Sequence, residues 1–419
     1  MIDIDSLRLN YETTVANLAK RGVKKADIDR VLALDEKWRE LTQAVEELRA
    51  QKNSANAAVA KAASAAKQEL IAAMKKVAEQ EETLAAEQEK IEEERRQAWR
   101  ALPNLVQSDV PEGGAEDFEI VHEGPTPPQA ASRQDYFSLA EPHLLDLARA
   151  AKVSGSRFVY IKGHLARLQL ALVSYVFDTL MAEGFMPILP PVLISEQAMS
   201  GMGYMEQGSD EIYRTQDNLY LVGTSEQALG PLHMNETLAV GAGPVRYVAF
   251  STCFRREAGS HGKDVRGILR LHQFDKVEMF SFAAPAQGAA EHEYLLSLQQ
   301  QLVEALELPY RVIKLAAGDL GAPSAKTYDV ETWIPSEGRY RETHSTSNTT
   351  DYQARRLNIR VKDQAGMVHK AHLLNGTALA MSRTFIALLE NHQQPDGAIA
   401  IPAVLHSYLP FTTIPAPQK

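Results

Sequence analysis

The residues best equipped for chemistry lie between Phe254 and Phe280, in the run FRREAGSHGKDVRGILRLHQFDKVEMF. Arg255, Arg256 and Glu257 come first. A polar loop follows, with Gly259, Gly262 and Gly267 to accept unusual backbone angles and Lys263 and Arg266 to add charge. In the second arm Arg270, His272, Phe274, Lys276 and Glu278 alternate with Leu269, Leu271 and Val277, the pattern of a half-buried strand. One face of one hairpin therefore offers guanidiniums for phosphates, a ring for a base and a carboxylate for an amine or hydroxyl. At about 3.3 Å per residue, Phe274 and Glu278 stand roughly 13 Å apart. That separation suits a ligand with a base at one end and a small polar group at the other. The plainer reading, a charged surface hairpin, is weakened by the groups that recur elsewhere.

Four further clusters carry the same chemistry. Thr224, Ser225 and Glu226 follow a short apolar run and a glycine, where they read as a helix N-cap or a polar pocket wall. Glu342, Thr343, His344 and Ser345 supply oxygens, and Glu342 with Ser345 is a ligand pair of the kind Mg²⁺ prefers. Asn375, Gly376 and Thr377 end a strand. Arg383 falls in the first turns of the helix that follows, where its charge adds to the positive field of the helix start.

The elements that hold these groups are legible in outline. With 419 residues, two or three domains are expected. Apolar and charged contents of 45% and 23% are those of an ordinary globular chain. No unbroken run of about eighteen apolar residues occurs, so no membrane span is expected. The opening MIDIDSLRLN lacks the pattern of a secretory signal, and a cytoplasmic protein is expected. One cysteine, Cys253, excludes an internal disulfide and a multi-cysteine zinc site. The net charge of −10 disfavours a general nucleic-acid coat but leaves room for local basic patches. Lys20, Arg21, Lys24 and Lys25 make one such cluster at the end of a short first helix.

From Val31 a heptad seam runs through Leu34, Trp38, Leu41, Val45, Leu48, Lys52, Ala55 and Val59. A second runs from Leu70 through Met74, Val77, Glu81, Leu84, Gln88, Ile91, Arg95 and Ala98 to Leu102, and Pro103 ends it. The small-residue stretch between the seams is the expected turn. Two helices of about 30 residues make an antiparallel arm about 45 Å long, over residues 28–102. Residues 111–135, rich in Pro, Gly and acids, read as a linker, and 411–419 as a loose tail.

The Phe254–Phe280 run resembles motif 2 of class II aminoacyl-tRNA synthetases, and specifically that of seryl-tRNA synthetases of bacterial type. The helix of residues 164–181 with the proline-bearing segment GFMPILPPVLI resembles motif 1, and HLLNGTALAMSRTFIALLENHQ motif 3. E-T-H-S ahead of D-Y-Q-A-R-R also matches the family. The resemblance covers nearly the whole chain.

It implies an α+β fold: a tRNA-binding domain (residues 1–110) with a coiled-coil arm, then a catalytic domain (residues 111–419) on a mainly antiparallel sheet flanked by helices. It implies ATP and L-serine as substrates, Mg²⁺ as cofactor and no zinc. The expected partners are serine tRNA, the selenocysteine tRNA that accepts serine, and a second copy of the chain in a homodimer. It assigns Arg255, Glu257 and Arg383 to catalysis. Thr224, Ser225, Glu226, Arg255, Glu278, Asn375 and Thr377 would bind serine. Arg255, Arg256, Glu257, Leu271, Phe274, Glu342, Thr343, His344, Ser345 and Arg383 would bind ATP, with the metal on Glu342 and Ser345. Arg49, Lys52, Lys61, Lys263 and Arg266 are the tRNA candidates, with Lys67 beside them on the arm. Two positions depart from the family pattern: Gln227, where a small or β-branched residue is usual, and Thr346, where many members carry cysteine.

Two other functions use the same fold. A ligase that loads an amino acid onto a carrier protein would not need the long arm. A non-catalytic tRNA-binding protein would be expected to have lost phosphate or metal ligands, and Arg255, Glu257, Glu342 and Arg383 are all present.

Overall fold

The computed structural model describes residues 1–61, 64–127, 134–206, 208–258 and 266–416, without the side chains of residues 58–61 and 64–66. The chain forms two units, residues 2–103 and, with Met1, residues 104–419.

The first unit has two short helices, Ile4–Leu9 and Tyr11–Ala19, and two long ones, Lys25–Lys61 (α1) and Ser64–Arg100 (α2). Each long helix has 37 residues, which makes the arm about 55 Å long rather than 45 Å. The helices run antiparallel: Asp35 meets Arg95, Thr42 meets Gln88, and Lys52 meets Glu81. Val31, Leu41, Val45, Ile91 and Leu102 are the buried seam residues among those described, and Ile28, just ahead of the first seam, is buried with them. At its base the fully buried Asp35 accepts from Arg8 (2.8 Å), Arg95 (2.8 Å) and Arg39 (3.3 Å). The Arg95 guanidinium lies 4.4 Å from the ring centre of Trp38 and 5.2 Å from that of Trp99. This carboxylate crosslinks three segments, and no hydrophobic period reveals it.

The second unit is built on eight strands: Glu119–Glu123 (β1), Met186–Ile188 (β2), Val245–Phe254 (β3), Gln273–Ala283 (β4), Tyr310–Lys314 (β5), Lys326–Ile334 (β6), Arg339–Asn348 (β7) and His372–Ala380 (β8). Their order is β1-β5-β6-β7-β8-β4-β3-β2. Every pair is antiparallel except β2 with β3. The three longest helices of this unit pack on the sheet: Gly163–Ala182 (α3), Gly288–Ala305 (α4) and Met381–Asn391 (α5). By length and composition α3 could cross a membrane, but Leu165, Leu168, Leu172, Val176 and Leu180 are buried in the core with β3 and β4 residues.

The sequence reading is corrected in two places. Residues 111–135 are not only a linker, because β1 lies inside them and pairs with β5 at the sheet edge. All five residues of β1 are exposed, so no burial pattern marked the strand. The tail is anchored as far as Ile414: Thr413–Ile414 pairs with Ile399–Ala400, and Ile414 is buried.

Two irregularities set the directions of the side chains. Between β6 and β7, Val330 pairs with His344 but Glu331 pairs with Glu342, so Thr343 is an extra residue. Between β8 and β4, Thr377 pairs with Glu278 but Leu379 with Val277, so Ala378 is extra. Each β-bulge shifts the alternation of its strand by one residue.

Candidate active site

A cleft of about 690 Å³ opens on the face of the sheet formed by β4, β6, β7 and β8. One wall begins where β3 ends. Phe254 pairs with Gln273, so the hairpin is real, but its second strand starts at Gln273 rather than near Leu269. The segment before it is irregular and is held by specific bonds. The Arg255 N–H donates to the His272 carbonyl (3.0 Å), and His272 Nδ1 lies 3.0 Å from the Arg255 carbonyl. Glu257 takes a left-handed φ of 50°, and its carboxylate receives Arg270 at 3.1 Å. At Gly267, φ is 87° and a Cβ would fall 1.7 Å from the Tyr136 hydroxyl, so only glycine fits. That hydroxyl accepts from the Ile268 N–H (3.1 Å).

Along β4, Phe274, Lys276 and Glu278 line the cleft or lie just under it. The Arg255 guanidinium is 5.3 Å from the Phe274 ring centre, and its Nε donates to the Gly223 carbonyl (3.2 Å). Glu278 is 1% exposed, forms an ion pair with Lys276, and sits across the ladder from Thr377. Burial pushes its carboxyl up to about 7 against the opposing pull of Lys276 and Arg255. Glu226 is buried nearby and accepts from Tyr204 and Gln353, both at 3.0 Å. Burial raises its pKa as well. Lys276 reaches across to the Thr224 hydroxyl at 3.3 Å.

The opposite wall depends on the first bulge. Glu342 and Ser345 are three residues apart, an odd spacing that puts side chains on opposite faces of an unbroken strand. With Thr343 bulged, both line the cleft. Arg383, in the first turn of α5, donates to Glu342 at 2.8 Å. Burial opposes the ionisation of Glu342, but Arg383 and Arg255 outweigh it and hold the carboxyl below its ordinary range. Asp329, opposite Ser345, is pushed well up by burial and by the Glu342 charge.

Thr224, Glu226, Arg255, Glu257, Leu271, Phe274, Glu342, Thr343, Ser345, Asn375, Thr377 and Arg383 all line this cleft, and Glu278 lies beneath it. Besides Glu278, three expected residues do not line it. Ser225 is buried behind the loop against the Ser251 hydroxyl (2.8 Å). His344 points to the other face of β7, where burial lowers its pKa to about 4. The Arg256 side chain is exposed, and its N–H donates to the Glu211 carbonyl (2.9 Å).

Among the tRNA candidates, Arg49 and Lys52 form ion pairs with Glu81. The Arg266 guanidinium is 4.0 Å from the Phe137 ring centre. Lys67 is exposed. The Lys61 side chain and Lys263 lie outside the described residues.

The two departures have structural explanations. Gln227 Oε1 accepts from the Gly223 N–H (2.7 Å) and closes the loop that carries Thr224. Thr346 points away from the cleft and donates to the Asn375 carbonyl (2.8 Å). Sequence reasoning placed Lys276 on the correct face without giving it a role, and missed Tyr204, Asp329 and Gln353. The alternation of β6 was the one available signal for Asp329.

Residues 210–392 match the family model "tRNA synthetase class II core domain (G, H, P, S and T)", and residues 1–106 match "Seryl-tRNA synthetase N-terminal domain". The chain is 46% identical to the serine–tRNA ligase of Acidothermus cellulolyticus, over 98% of each chain. It is 43% identical to that of Thermobifida fusca, over 98% of this chain and 97% of the relative. The crystal structure of seryl-tRNA synthetase from Pyrococcus horikoshii complexed with ATP superposes with a TM-score of 0.91 at 35% identity, covering 100% of both chains. The AMP complex of the cytoplasmic enzyme from Naegleria fowleri gives a TM-score of 0.84 at 28% identity, covering 97% of this chain and 96% of that one. With two family models that together span more than half of its length, and full-length relatives well above 30% identity, this chain belongs to the seryl-tRNA synthetase family.

Proposed function

We propose that the chain is a serine–tRNA ligase. It activates L-serine with ATP to seryl-adenylate and diphosphate, then passes the seryl group to the 3′ end of serine tRNA. The observation that carries this reading is the gathering of phosphate-type and amino-acid-type groups on one cleft, in a chain whose full-length relatives are named serine–tRNA ligases.

In the first step a serine carboxylate oxygen bonds to the α-phosphorus and the bond to diphosphate breaks. Negative charge builds on the phosphate oxygens, so catalysis is mainly positioning and electrostatic stabilisation. Arg255 binds the α-phosphate and the serine carboxylate, and Arg383 the far phosphates. Their planar forks suit bidentate contact with oxyanions. Glu257 fixes Arg270 at the mouth of the site. Phe274 supplies the ring face for adenine, and Leu271 the backbone beside it. Glu226, Glu278, Thr224, Asn375 and Thr377 receive the amine and hydroxyl of serine. A pocket that hydrogen-bonds a substrate hydroxyl rejects the analogue without it by about 10⁴–10⁵.

Glu342 and Ser345 fit a Mg²⁺ ion. They share a face only through the Thr343 bulge, and the buried Asp329 Oδ1 beside them has no hydrogen-bond partner among the described residues. No three His, Cys, Asp or Glu side chains are placed to hold a metal ion by themselves among the described residues. Phosphate oxygens and water would complete the shell, as is usual for this ion. When bound, it neutralises phosphate charge.

We assign residues 1–110 to tRNA binding, with the arm gripping the tRNA, and residues 111–419 to catalysis. We also propose a homodimer through α3 and β2. The β2 strand ends the sheet, and Met186, Leu189, Leu193 and Leu170 are exposed there, Leu189 by 77%. We place the enzyme in the cytoplasm.

Pyrophosphate exchange with each proteinogenic amino acid, followed by charging of bulk tRNA, tests the whole reading. Only serine should support both. Exchange without charging would point to a carrier-protein ligase, and no exchange at all to a non-catalytic protein.

A further inference from the structure

We propose that the Lys276 ammonium stands in for the substrate's: it holds Glu278 in the free enzyme and yields that place to the serine ammonium, moving to the serine carboxylate. This rests on the cleft being the serine site. Lys276 lies two residues before Glu278 on the same face of β4 and lines the cleft, although only 8% of it is exposed. Its Nζ is ion-paired to Glu278 and 3.3 Å from the Thr224 hydroxyl. It therefore sits between two groups that serine needs. Opposite it on β8 is Ala380, a small residue that lines the same cleft.

The charge balance explains why a cation is needed there. Glu226 and Glu278 are both buried, 4% and 1% exposed, and the Glu226 charge adds to the rise in the Glu278 pKa. Two buried carboxylates without a counter-ion are costly. Lys276, with Arg255 at the edge, supplies that charge in the free pocket. Serine brings an ammonium and a carboxylate together. Its arrival leaves the net charge unchanged and lets two ion pairs exchange partners. An amine without a carboxylate displaces Lys276 and leaves it with no anion. The arrangement therefore selects zwitterionic α-amino acids against amino alcohols.

The test uses Lys276→Met and Lys276→Gln in pyrophosphate exchange, with ethanolamine as competitive inhibitor. Ethanolamine carries the amine and hydroxyl of serine without its carboxylate. The ratio of ethanolamine Ki to serine KM should fall by roughly 10- to 100-fold in both variants, the worth of one charge-assisted contact. A merely structural lysine would move Ki and KM together, and an unchanged ratio in folded variants overturns the proposal. A crystal structure of the unaltered enzyme with serine decides it even where the variants fail to fold. Nζ should have left Glu278 for the serine carboxylate, and Nζ still on Glu278 overturns the exchange. If the unaltered enzyme shows no serine-dependent exchange, the serine-site reading itself has failed.

Discussion

Replacing Glu278 by glutamine keeps the size of the side chain and one acceptor oxygen but removes the charge. Glu278 is buried beneath the cleft, across the ladder from Thr377, so its carboxylate can take both the ammonium and the hydroxyl of serine. A hydrogen bond to a charged group contributes roughly 1.5–3 kcal/mol, or about 10- to 100-fold in kcat/KM for serine. The effect depends on pH. Burial pushes the carboxyl up to about 7; Lys276 and Arg255 oppose the rise, and Glu226 adds to it. Profiles of kcat/KM report the free enzyme. About one molecule in eleven is then ionised at pH 6 and about ten in eleven at pH 8. The advantage of the unaltered enzyme over Glu278→Gln in pyrophosphate exchange should therefore be roughly tenfold smaller at pH 6 than at pH 8.

The stability effect has the opposite sign. The folded pKa lies above the ordinary value of 4.5, so the native state holds this proton more tightly. Stability falls as pH rises from about 4.5 to about 7, and the glutamine variant lacks that slope. The KM for ATP should hardly move, since phosphates belong to Arg255 and Arg383, and discrimination against alanine should narrow. A ratio independent of pH, or lost ATP affinity with serine affinity intact, would falsify the assignment.

Replacing residues 43–87 with a short glycine linker keeps the stem, because Thr42 and Gln88 already touch at 2.9 Å. Charging of serine tRNA should be lost while serine-dependent pyrophosphate exchange survives; equal loss of both in a folded variant refutes the division of labour. Leu189→Asp puts a charge on the exposed apolar edge at β2 and should turn dimers into monomers with little exchange activity, as read by sedimentation; a fully active monomer overturns the dimer proposal. Asp35→Ala leaves Arg95 without its buried partner at the arm base, and thermal unfolding of the full chain should show a loss of about 3–5 kcal/mol. An unchanged transition would mean that the tryptophan stacking alone holds the stem.

Much of the fold was legible because it rests on local patterns. The heptad seams fixed the antiparallel arm, and the alternation in residues 273–278 fixed which side chains share a face with Phe274; ahead of Gln273 the chain is irregular, and Leu269, Arg270 and Leu271 all line the cleft. What stayed hidden depends on partners distant in sequence. Nothing in E-I-V-H-E marks β1, since its place comes from pairing with β5 and not from burial. Asp35 looks like a solvated charge until Arg8 and Arg95 converge on it. Glu342 and Ser345 could be named as a pair from the motif, but their spacing alone argues that they diverge. Lys276 resembled any other charge on a strand until Glu278 and Thr224 closed around it.

The extra residue at Thr343 sets what the sheet can tolerate. Matching it with one residue inserted into β6 between Val330 and Glu331 would let β7 and β6 zip in unbroken register, a more regular ladder with one fewer kink. The same insertion would leave Glu342 and Ser345 three residues apart on an unbroken strand, turn Glu342 to the far side of the sheet and leave Ser345 facing Asp329 alone. Backbone regularity and ligand geometry thus disagree at this position by a single residue. A search for stabilising variants guided by β-sheet ideality would be drawn to Thr343, and would there trade activity for order.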